Sequence, residues 1–66
     1  MQILLNGEPR QCPAGSSVSD LLALAGFAER KVAVEINRTI VPRSQHAGRK
    51  LSDQDRVEIV QAIGGG

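Results

Sequence analysis

Only one stretch of this chain carries apolar residues at helical spacing, and the segments around it have the period of β-strands. Val18, Leu21, Leu22 and Ala25 fall at i, i+3, i+4 and i+7, one stripe of an α-helix. Ser17 stands where an N-cap belongs, with Asp20 three residues on as a weaker form of the capping box, its charge suited to the positive end of the helix dipole. Gly26 suits the left-handed position after the last turn, from which Phe27 packs back against Leu22 in a Schellman-type stop. A helix this short is held mainly by burying its stripe, and strands are what the rest of the chain offers as a partner. The predicted plan is therefore α+β: one main helix packed across one face of a mixed sheet, in a single domain over residues 1–66.

The strands follow from local chemistry. Met1 to Leu5 is short and apolar, and Asn6-Gly7 tolerates the positive φ values of a tight hairpin. Glu8 to Cys12 is the predicted return strand, with Pro9 at a sheet edge or strand start where no ladder donor is missed. Val32, Val34 and Ile36 share one face of a third strand from Lys31 to Ile36, with Ala33 and Glu35 on the other. Asn37-Arg38 turns the chain into Ile40-Val41, which Pro42 closes. Ser44 to Gly48 reads as one helical turn capped by Ser44, and Leu51 as an isolated apolar anchor. After the Asp53-Gln54-Asp55 turn comes the longest β segment, Arg56 to Ile63. Its Val57, Ile59, Gln61 and Ile63 are assigned to the helix side, and Arg56, Glu58, Val60 and Ala62 to the open side.

With 66 residues, the chain has little room to line a deep substrate cleft, which points away from an independent enzyme. Its 41% hydrophobic and 23% charged residues are balanced for a folded globular domain. A net charge of +1, scattered along the chain, and a single aromatic residue, Phe27, leave neither a basic stripe nor stacking platforms, so nucleic acid is not an expected partner. No apolar run approaches membrane-spanning length and no leader pattern opens the chain, so the expected address is the cytoplasm, away from membranes. Cys12 stands alone, without a local His or Lys to activate it, and is assigned to the core. His46 has no second ligand at a recognisable spacing and is expected on a solvated loop. Asp53 and Asp55 are expected to form a turn and not to serve as paired catalytic carboxylates.

The chemistry concentrates at the end. Gly64, Gly65 and Gly66 follow the longest strand and bring no side chain to pack, so they are expected to project as a thin, flexible leash. A backbone without Cβ atoms threads a narrow channel, and a carboxylate on Gly66 would be the group delivered through it, with Gly64 and Gly65 as the access route. On the open face of the sheet, Leu4, Val60 and Ala62 are candidates for contact with a partner.

The Asn-Gly hairpin, the Ser-Val and Leu-Leu helix start, the run from Val32 to Asn37, then Ile40-Val41-Pro42-Arg43, Asp53 to Val60 and the terminal glycines together resemble the ThiS family over essentially the whole chain. The resemblance implies a ubiquitin-like β-grasp fold and a sulfur carrier in the synthesis of the thiazole moiety of thiamine. It implies that Gly66 is adenylated by an E1-like partner of the ThiF type, which binds the ATP, and that a sulfur-donor system converts it to a thiocarboxylate. A thiazole synthase of the ThiG type then receives the sulfur. The chain itself has no phosphate-binding glycine loop, so no cofactor is expected on it. Where relatives place Gly between the two aspartates, this chain has Gln54, and a change of turn type is expected there. A Gly-Gly end also occurs in carriers for molybdopterin synthesis or tRNA thiolation and in ubiquitin-like modifiers, and an interaction module with an idle tail is a further alternative.

Overall fold

A computed structural model of the chain describes residues 1–28 and 30–61. Strands β1 (Gln2–Leu5), β2 (Glu8–Gln11), β3 (Val32–Ile36), β4 (Thr39–Val41) and β5 (Arg56–Gln61) build one sheet in the order β2-β1-β5-β3-β4. β1 and β5 run parallel and the other neighbours antiparallel. The helix α1 (Val18–Leu24) buries Val18, Leu21 and Leu22 in the same core as Ile3, Val34, Ile36, Val57 and Ile59. This is the expected ubiquitin-like β-grasp plan, one helix across one face of a mixed sheet.

Local choices explain each element. Asn6 and Gly7 both take positive φ, 50° and 85°, the signature of the type I′ turn whose twist matches its flanking strands. Met1 and Cys12 exchange both main-chain bonds, at 2.9 and 3.0 Å. Alternation along the antiparallel pair then places Pro9, opposite Leu4, at a non-hydrogen-bonded site on an edge strand, where its missing N–H costs nothing. At the helix start the capping box is complete: Ser17 Oγ accepts from the Asp20 N–H at 3.1 Å, and Asp20 Oδ2 accepts from the Ser17 N–H at 2.9 Å. At its end Gly26 sits at φ 87°, with Phe27 N–H to Leu22 O at 2.7 Å and Gly26 N–H to Ala23 O at 3.3 Å, the Schellman pattern. Fully burying a residue such as Leu21 stabilises by about 1.5–3 kcal/mol, which is what holds a helix of two turns in place. Leu51 is buried, an anchor as expected, and so is Cys12.

Four expectations need correction. The helical turn is a 3₁₀ turn at Arg43–Gln45, starting one residue and ending three residues earlier than predicted, and Ser44 does not cap it. Pro42, at φ −58°, occupies the N-cap position, and its carbonyl accepts the Gln45 N–H at 2.8 Å. His46 is not solvated but buried, 7% exposed, because the end of that turn points the ring inward. Its Nε2 lies 3.0 Å from the Val41 carbonyl, and its own carbonyl accepts the Ser19 N–H at 3.0 Å, so it ties the loop to β4 and to the helix start. Gln54 adopts the left-handed conformation itself, at φ 72°, the strained region that the expected change of turn would have avoided. Strand bounds are also tighter than predicted: β2 stops at Gln11 and β3 begins at Val32. The predicted continuation of the last strand through Ala62 and Ile63 lies outside the described residues.

Candidate functional site

β5 is the central strand, and the glycine tail follows it in sequence. Gly64, Gly65, Gly66 and Ala62 lie outside the described residues, so the geometry of the candidate site is that of its root, up to Gln61. The two neighbours of β5 hold it in different ways. β3 pairs with it along its whole length, from Ile36 opposite Val57 to Val32 opposite Gln61. β1 pairs through Leu4 opposite Arg56 and Leu5 opposite Val57. Leu4 N–H donates to Asp55 O and Asn6 N–H to Val57 O, both at 2.9 Å, and then the hairpin turns β1 away. There the Asn6 side chain takes over: Oδ1 accepts the Ile59 N–H at 2.8 Å and Nδ2 donates to the Ile59 carbonyl at 3.3 Å.

The opposite end of β5 is tied by charge. Asp53 Oδ1 accepts the Gln2 N–H at 2.8 Å and Oδ2 accepts from the Gln54 amide at 3.2 Å, and these bonds hold its carboxyl below the ordinary 3.8. Asp55 is buried; its Oδ2 accepts the Ser52 N–H at 2.8 Å and its Oδ1 accepts from Asn37 Nδ2 at 3.1 Å. Asn37 Oδ1 in turn accepts the Arg56 N–H at 3.0 Å. Both aspartates are therefore occupied in shaping the turn, as their sequence position suggested.

The sheet face away from the helix carries the candidate contact residues. Val60 is 56% exposed and stands opposite Ala33, while Leu4 is half-buried between Pro9 and Arg56. Leu4 and Val60 thus share a face, with Arg56 beside Leu4 about 13 Å from Val60 along the strand at ~3.3 Å per residue. Ile40, 69% exposed, lies on this face opposite Glu35, which also opposes Glu58 across the β3–β5 ladder. Two like charges stand directly opposed at the centre of this face, with Arg56 on the same side two residues from Glu58. Ile40 was readable from alternation, because Val41 beside it is the buried member of β4. The side-chain bonds of Asn6 and Asn37 were not readable, because a strand-to-turn Asn signals only its φ.

Among the described residues no group of three His, Cys, Asp or Glu side chains is placed to hold a metal ion, and no helix is long and apolar enough to cross a membrane. Cys12 borders an open hollow of about 300 Å³ between the loop at Pro13–Ser16 and the helix residues Asp20, Leu21 and Leu24, and its side chain belongs to the core.

The ThiS family profile matches residues 3–66. A thiazole synthase of Magnetococcus marinus is 46% identical over the whole chain, which spans 20% of that relative's length. The sulfur carrier protein ThiS of Escherichia coli (strain K12) is 41% identical, with each chain covered in full. The crystal structure of the thiamine biosynthesis protein ThiS from Geobacter metallireducens superposes over both chains in full, with a TM-score of 0.86 at 29% identity. On a shared fold, a profile match from Ile3 to Gly66 and a relative aligned end to end, the chain belongs to the ThiS family.

Proposed function

We propose that this chain is a sulfur carrier in thiamine biosynthesis and that the carboxylate of Gly66 is the group that carries the sulfur. The observation carrying this reading is the family match extending to Gly66, together with a relative of the same span that is named a sulfur carrier. A carboxylate is a poor electrophile because oxide is a poor leaving group. Attack of a Gly66 carboxylate oxygen on the α-phosphorus of ATP, with loss of pyrophosphate, gives an acyl adenylate. A sulfide-equivalent nucleophile from a sulfur-donor system then adds to the acyl carbon, and AMP departs with the electron pair of the broken C–O bond. One oxygen is exchanged for one sulfur and no redox change occurs at the carbon. The thiocarboxylate is ionised at neutral pH and serves as the nucleophile toward the thiazole precursor.

ATP belongs to an E1-like partner of the ThiF type in this scheme, and the chain is a co-substrate and not an enzyme. A ThiG-like thiazole synthase as acceptor is supported by the Magnetococcus marinus thiazole synthase, which contains a stretch similar to this whole chain. The reading keeps the cytoplasm, where ATP is at hand, as the proposed address. Gly64 and Gly65 thread the tail into each partner, and the open face, with Val60 and Ala62 nearest the tail in sequence and Leu4 beyond, provides the docking surface. Incubation with the activating enzyme, ATP and a sulfur donor should raise the intact mass by one oxygen-to-sulfur exchange, and deletion of Gly66 should abolish the gain. An unchanged mass beside a demonstrably active enzyme would rule the carrier out. If Val60→Asp alters neither folding nor activation rate, the docking assignment is wrong.

A further inference from the structure

β5 outruns its parallel neighbour. The main chain of β1 supplies its last bond at Asn6, whose N–H donates to Val57 O, and the next residue, Gly7, already belongs to the turn. In a strand, alternate residues direct their main-chain groups to alternate sides. Asp55 and Val57 accept from β1, so Ile59 and Gln61 are the next residues whose N–H and C=O face that side. Ile59 is buried, and an unpartnered buried N–H is costly. The Asn6 carboxamide meets this need with both of its functions, accepting at 2.8 Å and donating at 3.3 Å. A primary amide has the donor and acceptor of a peptide group, so the side chain stands in for the residue that β1 lacks.

We infer that Asn6 is a positioning residue: by clamping Ile59 on the β1 side it fixes the course of β5 at Ile59–Gln61, and so the direction from which the following tail is presented to a partner's active site. The inference rests on the carrier reading of Gly66. On the β3 side, the ladder from Glu58 to Gln61 is main chain to main chain, so the Asn6 side chain is the adjustable half of the support. Losing it leaves the open docking face intact but widens the range of directions in which β5 ends. Bound complexes would then form at the same concentration, with fewer of them aligned to react.

Asn6→Gly tests this, because glycine keeps the positive-φ turn and removes the carboxamide alone. The control is Ser17→Ala, which loses the helix N-cap on another element. ATP–pyrophosphate exchange by an E1-like adenylating enzyme, with each full chain as the varied substrate, should show kcat reduced at least about tenfold by Asn6→Gly. KM should stay within about twofold. Amide exchange at Ile59 should speed up, and Ser17→Ala should leave both kinetic constants unchanged. A wild-type kcat in Asn6→Gly, an equal loss in Ser17→Ala, or an Ile59 amide as protected as before would each overturn the inference while leaving the carrier reading standing. Failure of the unsubstituted chain to support exchange would instead overturn the carrier reading, and this inference with it.

Discussion

The sheet contains two hairpins built on the same device and put to different uses. The Asn6-Gly7 turn joins β1 to β2 and the Asn37-Arg38 turn joins β3 to β4, each with two residues at positive φ. Each asparagine also reaches sideways to β5, from opposite edges of that strand. Asn37 binds its start, accepting from Arg56 N–H and donating to the buried Asp55 carboxylate. Asn6 binds it at Ile59, two residues from Gln61. The last residues of β1 and β3, Leu5 and Ile36, both stand opposite Val57, but β1 runs with β5 and β3 against it, so the next residue lies toward Ile59 for Asn6 and toward Arg56 for Asn37. One asparagine secures the turn that feeds the strand, and the other secures the strand where it leads toward the tail.

The largest consequence of this division is energetic. Asn37→Gly keeps the turn but removes a bond to a carboxylate and another to a main-chain N–H, a loss of about 2–3 kcal/mol given that bonds to charged groups contribute most. Asn6→Gly removes two bonds to neutral main-chain groups of the buried Ile59 and should cost about 1–2 kcal/mol. Urea unfolding of the two variants checks the order. If Asn6→Gly proves the more destabilising, the asymmetry between a structural and a presenting asparagine collapses.

How much of this was legible in the sequence depends on whether a feature is local. Both turns, the complete capping box at Ser17 and Asp20, the Schellman stop at Gly26 and the alternation of Val57 and Ile59 come from residues within a few positions of each other, and all are present. His46 was misplaced because its burial depends on Val41 and Ser19, contacts that exist only after the loop has folded against β4 and the helix. The Ser44 cap failed because Pro42, with its fixed φ, already occupied the N-cap position. The Asn6–Ile59 contact joins residues 53 apart in the chain, beyond any local pattern. For the candidate site, the order strand-then-glycines was legible, and the means of holding that strand was not.

The second residues of the two turns sharpen the comparison at smaller scale. Gly7 takes φ 85° without strain, whereas Arg38 holds φ 69° with a side chain that disfavours it. Gly7→Ala should cost about 1 kcal/mol from the dihedral alone, since an added Cβ would meet nothing within 4 Å. Arg38→Gly should gain about 0.5 kcal/mol, the relief of strain being partly offset by a more flexible unfolded chain. Thermal melts of both variants measure the two effects. A loss in Arg38→Gly would mean that the arginine side chain makes a contribution exceeding its backbone strain.

The smallest effect is the most selective, because only one end of β5 is held by carboxylates. Asp53 binds Gln2 N–H and the Gln54 amide, and these bonds lower its carboxyl below 3.8, the Gln2 bond contributing most. A folded-state value below the unfolded one means that the carboxylate adds stability above about pH 3.8, a contribution lost as the pH falls through the lowered folded value. Asn6 and Ile59 involve no titrating group. Acidification should therefore release the Gln2 amide, measured as exchange corrected for its intrinsic pH dependence, before the Ile59 amide. In Asp53→Asn, which keeps an acceptor oxygen but cannot titrate in this range, Gln2 protection should no longer track the carboxyl titration. If instead both amides lose protection together in the unsubstituted protein, the two ends of β5 open as one cooperative unit, and Asn6 cannot act on Ile59–Gln61 independently of the turn that begins the strand.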